Sequence, residues 1–160
     1  MVRFGKRVMK PDLVVVPLVT MRCVVPADWA DFNGHMNEGR YGQVFSDAAE
    51  VVMAQVGADA AYVAAGMSYF TVETTIKFLM EIRVGEALRV DTRVTHGEGK
   101  KLRVFHEMRR EADESVLATC DQFMLHVSLD TRRSCNPPAH IAAAVEALAR
   151  AHTAASTDKT

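Results

Sequence analysis

The stretch Asp31-Phe32-Asn33-Gly34-His35-Met36-Asn37 gathers a carboxylate, an imidazole, two amides and a glycine within seven residues. Directly after it, Tyr41, Val44, Phe45, Ala48, Val52 and Val56 recur at spacings of three and four, the pattern of one buried helix face. Asn37 has the side chain of a helix N-cap, and Gly34 permits a turn in which backbone approaches a ligand closely. The free N–H groups of a first helical turn attract an anion or a carbonyl oxygen. A carboxylate beside such a turn is the minimum equipment for hydrolysing an acyl group. The same residues also suit an acidic turn leading into a core helix, and the motif alone leaves both readings open.

Asp31 leads the candidates because it sits at the helix entrance, three residues before Gly34. His35 suits orienting a carbonyl or a water, or bracing the turn. Asp47 and Glu50 fall on the helix away from the apolar stripe, where they suit a solvated face or the border of a pocket shared between subunits. His96, His106, His126 and His140 lack metal-ligand spacing, so structural roles and no metal site are expected. There is no G-x-S-x-G elbow, P-loop or dinucleotide fingerprint. Lys100, Lys101 and Arg103 form a basic cluster at the Gly97–Gly99 turn, suited to a solvated hairpin or to a phosphate contact.

A few elements must position these residues. The 160-residue chain suits one domain, expected over 11–155, with a basic tail over 1–10 and a frayed tail over 156–160. Residues 13–25 are valine-rich and predict a strand buried on both faces; alanine-rich 58–66 predicts a short helical piece. From Ser68 the period becomes two, and Phe70, Val72, Thr74, Ile76 and Phe78 alternate with Thr71, Glu73, Thr75 and Lys77. Three further strands, from Leu88, from Leu102 and from Val116, complete an expected antiparallel meander of four. Ile141, Val145, Leu148 and His152 mark a peripheral last helix. The class is α+β, with one long helix wrapped by a curved antiparallel sheet. Hydrophobic content of 49%, charged content of 24% and a net charge of −1 give no argument for nucleic acid or an acidic membrane. No run approaches the roughly 20 apolar residues of a membrane span. Three cysteines without a C-x-x-C pair read as reduced thiols of a cytoplasmic protein.

The motif D-x-x-G-H-M-N followed by Arg40-Tyr41 and the long helix resembles the hot-dog-fold acyl-CoA thioesterases of the 4-hydroxybenzoyl-CoA thioesterase type. The run I-K-F-L-M-E-I-R-V-G-E-A-L-R-V, Ile76 to Val90, looks like their strand, glycine turn and strand. Within that family, the stretches Asp28–Phe45 and Ser68–Thr74 are most similar to the betainyl-CoA thioesterase branch of carnitine breakdown. The resemblance implies an acyl-CoA substrate, no cofactor or metal, and a homodimer or tetramer with two sheets joined edge to edge. It implies that Asp31 acts as general base on water or as nucleophile on the thioester, with Asp47 or Glu50 as the substitute. It further implies that the amides of His35 and Met36 polarise the carbonyl, and that Asn37 and Tyr41 meet the substrate. Lys100, Lys101 and Arg103 are its weakest transfer, to the phosphates of coenzyme A. A betainyl group ends in trimethylammonium, which donates no conventional N–H hydrogen bond and calls for aromatic faces and carboxylates. Trp29, Phe32, Tyr69, Phe70 and Glu73 are the candidates, with alternation placing Tyr69 and Glu73 on one strand face and Phe70 on the other. Two rivals remain: a hot-dog enoyl-CoA hydratase or dehydratase, whose D-x-N-P-x-H motif this chain lacks, and a non-catalytic acyl-CoA-binding domain.

Overall fold

A cap and a glycine bound the long helix. The Asn37 side-chain oxygen accepts the Gly39 N–H at 2.9 Å, and helix α1 runs from Glu38 to Gln55. Beyond its end Gly57 takes a φ of +88°, the left-handed conformation that stops a helix. All six stripe residues are buried, Val44, Phe45, Ala48 and Val52 completely so. The computed structural model describes residues 17–157; the expected basic tail, the first part of the valine-rich strand and the last three residues lie outside the described residues.

The strands are β1 (Leu18–Val24), β2 (Met67–Phe78), β3 (Ala87–Glu98), β4 (Lys101–Arg110), β5 (Val116–Ser128) and the short β6 (Arg133–Ser134). They form one antiparallel sheet in the order β1-β3-β4-β5-β2, with β6 pairing the end of β5. The N-terminal half of α1 packs Val44 and Phe45 among Leu88 and Val90 of β3, Met108 of β4, and Leu117 and Cys120 of β5. Its C-terminal half packs Val52 and Val56 with Val94, Leu102 and Met124, and with Ile141 and Val145 of helix α3 (Ala139–Thr157). Helix α2 (Ala60–Ala64) is capped by Asp59. The architecture is the expected helix wrapped by a curved sheet.

Four local expectations are corrected. Strands β3, β4 and β5 form a meander, but β2 pairs with β5 rather than with β3. The reason is the β2–β3 connection, which is anchored by fully buried Ile82 and crosses from one side of the sheet to the other. Strand β1 is an edge strand, half exposed rather than buried on both faces. Helix α3 is not peripheral. Strand β1 pairs with β3 only as far as Thr92, and beyond it His152 Nδ1 accepts the Val94 N–H at 2.7 Å. At Gly97 a Cβ would lie 2.5 Å from Val145 Cγ1, so the helix rests directly on this backbone. The helix also continues to Thr157, two residues into the expected frayed tail.

The fourth correction concerns the faces of β2. Val72 is an extra residue between Thr71, opposite Met124, and Glu73, opposite Phe123. Such a bulge reverses the alternation downstream. Tyr69 and Phe78 therefore share the face opposite the buried His126 and Ala118, whereas Glu73 lies on the outer face.

Candidate active site

The turn before α1 is a small closed unit. Ala30 and Met36 bridge across it, the Asp31 N–H donates to His35 O at 2.8 Å, and Gly34 supplies the positive φ of +76°. One carboxylate oxygen of Asp31 accepts two backbone N–H groups, from Asn33 at 2.8 Å and from His35 at 3.1 Å. The side chain is thereby fixed in direction, and Oδ2 has no protein partner among the described residues.

The β2–β3 connection braces this turn from the other side. The Met36 N–H donates to Ile82 O at 2.8 Å, His35 bridges Arg83, and the Val84 N–H donates to Gly34 O at 3.3 Å. Arg110, at the end of β4, donates from Nη2 to the Glu81 carbonyl at 2.8 Å and pairs through Nε with Glu86 at 3.2 Å. Glu81 Oε1 then stands 3.4 Å from His35 Nε2, within charge-pairing range when the imidazole is protonated.

Between turn and connection lies a cleft of about 680 Å³, whose walls include Asp31, His35, Glu38, Tyr41, Phe78 and Glu81. The Tyr41 ring meets Phe78 edge-on at 5.2 Å. Burial pushes the Tyr41 phenol above its ordinary range, and the nearby Glu81 charge adds to the effect, so the hydroxyl keeps its proton at neutral pH. Here a carboxylate with one free oxygen, a phenol donor and the N-terminus of an 18-residue helix converge on one cavity. That set can activate a water and stabilise a developing oxyanion.

The remaining candidates are sorted by where they lie. The amides of His35 and Met36 are already committed, to Asp31 Oδ1 and Ile82 O, because the turn is stitched on both sides. The Glu38 N–H, at the first helical position on the cleft wall, has no acceptor among the described residues. Asn37 lies at the entrance, with its Oδ1 used in capping. Asp47 takes no part in the cleft; it accepts from Gln43 at 2.8 Å and lines a separate groove beside β1 with Val19 and Met21. Phe32 points into solvent at full exposure, and Trp29 is covered by the Arg40 guanidinium, 5.8 Å from the ring. Tyr69 and Phe70 sit at the start of β2, at the opposite end of that strand from Phe78. Lys100, Lys101 and Arg103 lie toward the opposite end of β4 from Arg110, roughly 23–33 Å away at about 3.3 Å per residue. Lys100 bonds Ser134 at 2.9 Å and Arg103 pairs with Asp121 at 2.9 Å. Residue reasoning missed Glu38, Phe78, Glu81 and Arg110. Glu38 lies inside the stretch Asp28–Phe45, and Phe78 and Glu81 lie inside the run Ile76–Val90, where nothing in residue type or spacing set them apart; Arg110 stands alone in sequence.

Residues 25–145 match the family model of the Thioesterase-like superfamily. The chain is 46% identical over 145 residues to an L-carnitine dehydrogenase/betainyl-CoA thioesterase of Ruegeria pomeroyi, covering 88% of this chain but 29% of that protein. It thus spans less than a third of that relative's length. It is 38% identical over 138 residues to a betainyl-CoA thioesterase of Pseudomonas aeruginosa, covering 86% of this chain and 87% of that protein. Among solved structures, a hypothetical protein of Staphylococcus aureus in complex with CoA superposes with a TM-score of 0.79 at 20% identity, covering 87% of this chain and 89% of that one. A 1,4-dihydroxy-2-naphthoyl-CoA thioesterase of Synechocystis superposes at 0.71 and 17% identity, covering 81% and 96%. These two likenesses are of fold, the hot-dog arrangement of sheet and helix. By its matched residues and its relatives, the chain belongs to the Thioesterase-like superfamily.

Proposed function

We propose that the chain hydrolyses an acyl-CoA thioester, and that the substrate is betainyl-CoA, cleaved to betaine and free coenzyme A. The observation that carries the reading is the Asp31 carboxylate on the cleft wall, pinned by two N–H groups through one oxygen and left without a partner among the described residues at the other. The names of the two relatives supply the acyl group. Asp31 Oδ2 takes a proton from water as the water oxygen bonds to the thioester carbon. The carbonyl oxygen gains the negative charge and is stabilised by the Glu38 N–H and the helix N-terminus. The tetrahedral intermediate then expels the thiolate, which takes up a proton, and Asp31 returns to its ionised form. A thiolate leaves readily, so the residues present need no strong general acid, metal or cofactor.

The working unit in this reading is at least a homodimer. Among the described residues strand β2 has an unpaired outer edge, and Val72 and Phe78 are each more than half exposed along it. A second copy adding its own β2 would satisfy that edge. Among the described residues no helix is long and apolar enough to cross a membrane, and the three cysteines are free, which suits a reducing cytoplasm. The test is thiol release across a panel of acyl-CoA esters that includes betainyl-CoA. Preferential hydrolysis of betainyl-CoA supports the reading; release from none of the panel sinks it.

A further inference from the structure

The segment joining β2 to β3, residues 79–86, belongs to no strand ladder; its one pairing is the isolated bridge between Arg83 and His35. Its shape must therefore come from contacts with other parts of the fold. Backbone holds its two ends. The Leu79 and Met80 N–H groups donate to Leu117 O at 2.9 and 3.0 Å, and the Gly85 N–H donates to Val25 O at 2.9 Å. Apolar packing does little for the stretch between, since Leu79 and Met80 are about half exposed and Ile82 alone is fully buried.

One side chain spans that stretch. Arg110 Nη2 donates to the Glu81 carbonyl at 2.8 Å. Its Nε stands 3.2 Å from Glu86 Oε1, an ion pair without hydrogen-bond alignment. Glu86 Oε2 in turn accepts the Arg83 N–H at 2.6 Å. Ile82 lies between these two arms, and its carbonyl is the acceptor of the Met36 N–H in the Asp31 turn. The third arm leaves the connection: Nη1 donates to Asp113 Oδ2, on the β4–β5 turn, at 3.1 Å. The Arg110 side chain is 16% exposed, so solvent and salt screen these contacts weakly.

We propose that Arg110 is a positioning residue, a clamp that sets the β2–β3 connection against the Asp31 turn and so fixes the geometry of thioester cleavage. The inference rests on the thioesterase reading and adds to it a residue that acts through others. Glu81 and Glu86 pass the constraint to Ile82 and Arg83, which meet Met36 and His35, and the His35 N–H holds Asp31 Oδ1. A shift of the connection therefore carries the carboxylate with it. A misplacement of about 1 Å at a reacting group costs about 10²-fold in rate. Arginine suits the task because its planar fork presents donors in fixed directions, whereas lysine offers one point charge on a flexible stem.

The experiment measures kcat and KM with the acyl-CoA ester that the intact protein hydrolyses fastest, together with hydrogen exchange at the Met36 amide. Arg110→Lys keeps the charge but cannot span Glu81 and Glu86. It should lower kcat by about 10–10²-fold with KM changed by less than about threefold. The Met36 amide should exchange faster, while the core amides of Val90 and Val104 exchange as before. Glu86→Gln cuts the same clamp from the other side, so its loss should not add to that of Arg110→Lys in the double variant. Asp113→Asn cuts only the arm that leaves the connection and should hold kcat within about twofold. If Arg110→Lys does not fold, the contrast between Glu86→Gln and Asp113→Asn carries the test, and equal kcat in those two overturns the clamp. Normal kcat in a folded Arg110→Lys protein overturns it while leaving the thioesterase standing. Additive losses, or a kcat loss with unchanged Met36 exchange, overturn it as well. Thiol release from no ester by the intact protein ends the thioesterase reading and the clamp with it.

Discussion

In the proposed reaction Asp31 does two jobs with one side chain, and two substitutions separate them. Asparagine keeps an oxygen that can accept the Asn33 and His35 N–H groups, but it loses the charge. Asp31→Asn is therefore expected to keep the thermal melt of the intact protein while kcat falls by at least about 10²-fold. Near-normal turnover in a folded Asp31→Asn protein would move the chemistry to another carboxylate. Asp31→Ala removes both acceptances as well and should also lose about 1–2 kcal/mol of stability in urea unfolding. Asp31 was legible in the sequence because an acid, a glycine and an N-cap stand close together along the chain. The use of its amides was not, since the acceptor of the Met36 N–H is Ile82, brought there by a distant connection.

At the scale of elements, hydrophobic period was enough to mark α1 and the strands, because each buries one face. Partners and parity were less legible. The bulge at Val72 moves Glu73 away from Tyr69, and only the register with β5 reveals it. Gly97 looked like a turn glycine, yet it lies within β3 under α3. Gly97→Ala should push α3 off the strand and cost about 1–3 kcal/mol, read as a lower Tm. A second element-level feature links the sheet to pH. Thr20, Thr92, His106 and Gln122 form a buried hydrogen-bonded chain across β1, β3, β4 and β5, with contacts of 2.8, 2.7 and 3.1 Å. Burial lowers the His106 pKa to about 4 against an ordinary 6.5, with the Gln122 contact opposing it. Above pH 6.5 both folded and unfolded chains hold it neutral. As pH falls from 6.5 to 4 the unfolded chain binds a proton that the folded one refuses, so stability drops, by up to about 3 kcal/mol, and levels off below pH 4. His126 and His152 are shifted the same way by burial. Urea titrations at pH 7 and pH 4.5 should show a shallower pH slope for His106→Asn than for the intact protein.

At the scale of the whole molecule, the free β2 edge decides whether the chain works alone. Val72→Lys places a charge on the bulge at the centre of that edge, where the residue is 55% exposed. Light scattering should show the mass falling from dimer toward monomer, with the circular dichroism spectrum kept and thioester hydrolysis lost in proportion. A monodisperse monomer of the unaltered chain at micromolar concentration would remove the basis for pairing. The handover on β3, from β1 to α3, has a consequence for covalent architecture. Both the first described strand and the last helix belong to the sheet margin opposite β2, across four inter-strand spacings of about 4.8 Å. The described chain thus begins and ends beside that margin, away from the β2 edge. A fold with this layout tolerates fusion at either terminus, and a much longer relative such as that of Ruegeria pomeroyi can carry it as one segment among others.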